Sequence, residues 1–199
     1  MLCDRLYFFR NAKQSPSNSF LILRLILVAM QKTFVNKVAE SGLITLDLET
    51  FLPKGEILVF DIKDYLFMGL ILKEKDFRKA LQEHDWTKYQ DRVVAVTCSV
   101  DAIIPVWAYM LIVSYLEPFS AFIHFGGEEQ TREAFLIQQI KQIDQETYKD
   151  QRVVVKGCGE TPIPASAYFY ITSMLRPVVK SIMYGEPCST VPVFKKKAN

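Results

Sequence analysis

Apolar positions along this chain follow two periods, and the alternation between them predicts its elements. From Gly42 onward, Leu43-Ile44-Thr45-Leu46-Asp47-Leu48 alternates apolar and polar, and residues 56–62 form a β-branched apolar run behind Pro53-Lys54-Gly55. Both predict strands, because successive strand side chains point to opposite faces. Residues 73–84 place Phe77, Ala80 and Leu81 on one face among strong helix formers, the mark of an amphipathic helix. Residues 92–96 are continuously apolar and β-branched after Arg92, as expected of a strand buried on both faces. A loop over 97–104 leads to Pro105, which suits a first helical position, and the segment to Leu116 is apolar nearly all round before Pro118 ends it. Such a helix has to be buried, either inside the domain or against a second subunit.

The order then recurs. A strand is expected near 121–125, then a Gly126-Gly127 turn, an amphipathic helix over 131–143, a strand over 152–155 and a helix over 164–175. A last helix is expected over 177–184, with Gly185 as its left-handed stop and an irregular exit loop, Gly185-Glu186-Pro187-Cys188-Ser189-Thr190-Val191-Pro192.

Laid on 91–118 with one gap, 151–177 matches Arg152 to Arg92, Val153 to Val93, Val154 to Val94 and Cys158 to Cys98. Beyond the gap, Ile163, Pro164, Ala167, Tyr168, Ile171, Ser173, Leu175 and Pro177 fall on Ile104, Pro105, Ala108, Tyr109, Ile112, Ser114, Leu116 and Pro118. Two merely apolar helices would not also align Arg, Cys, Tyr and both prolines. The fold class read from this is α/β: a single domain over 30–199 with an internally duplicated strand-helix-strand-helix unit, and a mixed or parallel sheet with helices packed on it. Repeat 1 covers about 56–118 and repeat 2 about 119–178.

Bulk composition narrows the partners. The chain has 199 residues, half of them apolar, enough for one sizeable core. Its 24 basic and 22 acidic residues leave a net charge of only +2. No whole-molecule field exists to grip nucleic acid or an acidic membrane, so neither is expected as a partner. The terminal Lys195-Lys196-Lys197 reads as a solvated tail. Four cysteines lie far apart with no CxxC pair, which predicts a reducing, cytoplasmic setting. No apolar run reaches the roughly 20 residues of a membrane helix. Residues 1–29 differ in character from the rest and make a poor signal peptide; they are read as a disordered extension or, in preference, as one produced by a start assigned upstream of Met30.

Ligands of α/β sheets collect at the carboxyl ends of strands, where helix N-termini present free N–H groups. Two loops stand there: Thr97-Cys98-Ser99-Val100-Asp101 and Lys156-Gly157-Cys158-Gly159-Glu160-Thr161. A cysteine so placed can have a lowered pKa, fit for a nucleophile or a metal ligand, and Lys156 pushes the same way. Against this, unpaired cysteine commonly packs as a small hydrophobe. Cys158, between glycines that permit close backbone approach, is favoured over Cys98. Cys98, Cys158 and Cys188, with Asp101 or Glu186, would make a set for zinc or an iron–sulfur cluster. A Cys98–Cys158 disulfide is the alternative if the two strands are neighbours. His84 reads as a solvated helix end, and Asp61 at a strand end as a cap in preference to an acid–base group. Trp107, Tyr109 and Tyr168 read as core or interface aromatics.

The stretches Asp61-Ile62-Lys63-Asp64, Lys73-Glu74-Lys75-Asp76-Phe77-Arg78, Cys98-Ser99-Val100-Asp101, Pro105-Val106-Trp107-Ala108-Tyr109, Lys156-Gly157-Cys158 and Gly185-Glu186-Pro187-Cys188-Ser189 together resemble a bacterial domain-of-unknown-function family, number 2480. The likeness covers 30–197, and the family's proteins begin near Met30. Genes of that family often stand beside those of an iron–sulfur assembly system. The resemblance therefore implies an accessory factor in iron–sulfur or metal handling, with iron–sulfur assembly proteins as partners. Two other readings stand beside it: an enzyme using Cys158 as nucleophile with Lys156 as its activator, and a non-catalytic homodimeric scaffold joined through the helix at 105–116.

Overall fold

A computed structural model of the chain describes residues 42–157, 159 and 161–197. In chain order the elements are β1 (Leu43–Asp47), β2 (Leu58–Asp61), α1 (Glu74–Glu83), β3 (Val93–Thr97), α2 (Val106–Leu116), β4 (Phe122–Phe125), α3 (Glu128–Lys141), β5 (Arg152–Lys156), α4 (Ala165–Leu175), β6 (Ser181–Glu186) and β7 (Ser189–Lys195). The strands form two sheets. One has the order β2-β3-β4, all parallel; the other has the order β1-β5-β6-β7, parallel except for the final antiparallel hairpin. The fold is α/β, with helices packed on parallel and mixed sheets.

Burial explains the strand compositions. Phe60, Val94 and Val96 on one face of the three-stranded sheet pack under Phe77 and Leu81 of α1 and Ala108, Ile112 and Leu116 of α2. The reverse face, with Ile57, Val93 and Ala95, meets Phe135 of α3. The next residue of α3, Leu136, turns with Ile140 into the second core, among Leu46, Val153, Val155, Ile171, Leu175 and Ile182. One helix thus covers the back of one sheet and the front of the other. Since β3 is covered on both faces, every position from Val93 to Val96 is buried, and the run is continuously apolar.

Two elements differ from the sequence reading. Residues 177–184 do not continue as a helix: Lys180 N donates to Gln151 O at 2.8 Å, and Ser181 to Tyr184 pair in parallel with Arg152 to Val155. A short apolar run containing Val178, Val179 and Ile182 satisfies either period, and the open edge of β5 decides it. The expected exit loop is likewise a hairpin, with Pro187 and Cys188 at the turn between β6 and β7. Gly185 has φ of +115°, but within β6; a Cβ there would stand 2.6 Å from Ser189 O.

Local features recur 59 positions apart. Asp91 and Asp150 have φ of 56° and 54°, and their amides donate to Phe119 O and Val178 O, each at 2.9 Å. Tyr109 meets Phe125 edge-on at 5.1 Å, as Tyr168 meets Tyr184 at 5.4 Å. The neighbouring strands match as well, though not at that spacing: Asp61 closes β2 and caps the 3-10 turn Ile62–Tyr65, and Asp47 closes β1 and caps Leu48–Phe51. The spacing carries straight through the loops: Thr97 and Lys156 each end a strand that pairs with an aspartate-tipped neighbour. The gap that laid Cys158 on Cys98 is therefore absent. Gly157 follows Lys156 where Cys98 follows Thr97, because backbone register, not cysteine identity, sets the correspondence.

Candidate functional site

The carboxyl ends of β1, β5 and β6 lie side by side and bring Asp47, Lys156 and Glu186 together. Lys156 Nζ stands 3.4 Å from Asp47 Oδ2 and 3.6 Å from Glu186 Oε1. The Glu186 charge, and then that of Asp47, hold the Lys156 ammonium protonated above its usual range. A lysine held between two carboxylates has little field left with which to activate a thiol. Beside them Tyr168 Oη donates to Gly157 O at 3.0 Å. The Glu49 carboxylate lies against Gly159, where a Cβ would collide with it. Glu49 Oε1 is buried without a hydrogen-bond partner among the described residues. Both glycines are therefore required by close approach.

The corresponding end of the three-stranded sheet is built differently. Asp61 Oδ1 accepts from Lys63 N at 3.0 Å and Ser99 N at 3.1 Å. Burial works against its charged form, but the hydrogen bonds from Ser99 and Lys63 prevail and hold the carboxyl below its usual value of 3.8. Cys98 is half-buried against the core under α1 and α2, and its Sγ donates to Val100 O at 3.4 Å. It packs as a small hydrophobe. Asp101 is exposed, in a cleft with Leu70, Ile71 and Ile103.

Of the residues singled out from sequence, Lys156 and Glu186 thus meet, joined by Asp47, which was missed. The signal for it was present: Leu46-Asp47-Leu48 parallels Phe60-Asp61-Ile62. Cys98 and Asp101 follow β3 in the other sheet, and Cys188 is exposed at the β6–β7 turn. Cys158 and Glu160 lie outside the described residues. Cys98 and Cys188 are free thiols; β3 and β5 lie in different sheets, so the neighbouring strands that a Cys98–Cys158 disulfide called for are not found. Among the described residues, no group of three or more His, Cys, Asp and Glu side chains is placed to hold a metal ion. No helix among them is long and apolar enough to cross a membrane. His84 is half-buried and not a freely solvated helix end: it caps α1 beside the rings of Tyr65, Trp86 and Tyr89.

A second feature stands on α2. Its inner face buries Ala108, Ile112 and Leu116, while Val106, Met110 and Val113 on its outer face are 75%, 69% and 41% exposed. No charged residue occurs from Val106 to Leu116. The cleft shared by Leu70, Ile71, Ile103 and Pro105 extends this surface to the exposed apolar turn Phe67-Met68-Gly69-Leu70-Ile71. The sequence reading passed over that turn, although an uncharged run from Leu66 to Leu72 signalled it.

A family model described as Protein of unknown function (DUF2480) matches residues 32–196. The chain belongs to this family. The match spans every strand and helix described above, including both clusters at the strand ends and the outer face of α2. No curated protein and no solved structure matches the chain. The family description assigns no activity, so function has to be argued from geometry.

Proposed function

We propose that this protein is a non-catalytic interaction protein whose copies associate through the outer face of α2. The observation that carries this reading is the exposure of Val106, Met110 and Val113 on a helix without charge. A contiguous apolar surface of this kind is costly to leave in water and marks an interaction site. A second copy fits it well. In a two-fold contact each residue meets its own surroundings, and a face without charge meets no like-charge repulsion. Leu70, Ile71 and Ile103 line the cleft next to Pro105 and enlarge the apolar area available for burial, with Asp101 the charged member of that cleft. The metal and nucleophile readings draw less support: the described thiols lie on different sheets, and Lys156 is already engaged by carboxylates.

Light scattering on the eluted peak of a sizing column tests the proposal. The expected result is a dimer at micromolar concentration that Met110→Glu converts to a monomer with unchanged circular dichroism. A monomeric parent protein would overturn it.

A further inference from the structure

The net charge of +2 conceals a local segregation. Lys195 ends β7, and Lys196 N donates to Lys180 O at 2.9 Å, so the backbone of these two lysines is pinned to the sheet. Lys180, Lys195, Lys196 and Lys197 line one cleft, whose acidic member, Asp150, lies 3.6 Å from Lys196. Arg176 and Phe194 line an adjoining cleft with the same three terminal lysines.

Immediately beside this basic edge the surface is apolar. The groove between α4 and the β6–β7 hairpin is lined by Phe169, Tyr184 and Val193, with Arg176 at its end. Phe169 is 80% exposed and Val193 54%. Because Arg176 borders both the groove and the basic cleft, the two form one continuous surface.

Different occupants make different demands on such a surface. Lysine and proline on an edge strand guard against edge-to-edge pairing, but that role does not call for an exposed phenylalanine alongside. Single-stranded nucleic acid needs open aromatic faces set along a basic track, whereas the ring that lines the basic cleft, Phe194, is half-buried with the Arg176 guanidinium over it at 4.9 Å, and the open ring of Phe169 lines the groove that holds no lysine. An anionic bilayer uses both features. Apolar side chains enter the headgroup and acyl boundary while a cluster of lysines and arginines meets the acidic headgroups.

We propose that the α4–β7 face is a peripheral docking surface for anionic lipid bilayers. The full chain is to be sedimented with vesicles of phosphatidylcholine alone and of phosphatidylcholine mixed with phosphatidylglycerol, at low and high salt. Binding is expected to the acidic vesicles only and to fall as salt rises. Lys195→Gln and Lys197→Gln should each weaken partitioning by roughly fivefold. Phe169→Ser should weaken it without changing its salt dependence. All three side chains are exposed, and circular dichroism checks that each variant stays folded. Equal binding to neutral vesicles, no binding at low salt, or lysine variants that bind like the parent would each overturn the proposal. So would tighter binding to single-stranded nucleic acid than to acidic vesicles, measured on the same protein.

Discussion

Tyr65 Oη and His84 Nδ1 lie 2.9 Å apart, joining the 3-10 turn after β2 to the C-cap of α1. Burial, and then the nearby Lys88 charge, hold the His84 pKa below its ordinary 6.5 against the opposing pull of Asp85. Above 6.5 the imidazole is neutral in both folded and unfolded chains. Below it the unfolded chain takes up the proton first, so the folded state loses stability as pH falls from 6.5 toward the lower folded value. Thermal unfolding scans should show this decline, and His84→Gln should flatten it.

Tyr89, buried in the same cluster, should act at the other end of the scale. Burial, assisted by Tyr65, pushes its hydroxyl up from 10.0 to about 12. The folded state keeps that proton while the unfolded chain releases it. The associated stability is therefore complete below pH 10 and is lost as pH rises toward 12. Urea midpoints across this range should fall for the parent protein and change less for Tyr89→Phe.

The depressed Asp61 carboxyl makes a separate acid prediction. Its contribution is present above pH 3.8 and is lost as pH falls from there through the lower folded value. At neutral pH, Asp61→Ala strands the amides of Lys63 and Ser99 and should cost about 0.5–2 kcal/mol, the usual range for a lost cap. Chemical denaturation of the variant measures it.

Phe60 stacks between Tyr65, with ring centroids 5.2 Å apart, and Trp86, at 5.6 Å, and is only 2% exposed. Phe60→Ala removes the centre of this stack and should destabilise the domain by about 3–5 kcal/mol in urea. A change in tryptophan fluorescence should accompany it, because Trp86 loses its neighbour.

At the strand-end loop, Tyr168→Phe removes the hydrogen bond to Gly157 O and should cost about 0.5–1.5 kcal/mol. Gly157→Ala sets a Cβ against the Tyr168 hydroxyl and Ile163, and should cost more. The two should be non-additive, since the first variant relieves the collision made by the second. Additive losses in a double-mutant cycle would show that the contact does not position the loop.

Much of the site was legible because its residues sit where local pattern and backbone chemistry agree. Lys156 follows a buried β-branched strand, and Asp61 stands at a strand end where a cap is needed. Asp47 was not legible as Lys156's partner, because β1 and β5 lie more than a hundred residues apart and only their parallel pairing brings them together. The cysteine correspondence failed for a related reason. Matching side chains suggested a gap, whereas the strand register, set by continuous backbone hydrogen bonding, leaves no room for one.

By itself the sequence determined the elements with strong periods. These are the doubly covered strands β3 and β5, the amphipathic α1, and the apolar α2 with its proline start, since each follows from side-chain spacing along a few turns or residues. Tertiary structure decided that 181–186 is a strand, that β1 joins β5, and which stripe of α2 faces outward. Those outcomes depend on sheet edges and packing faces built by residues distant in sequence, whose energies no local window contains.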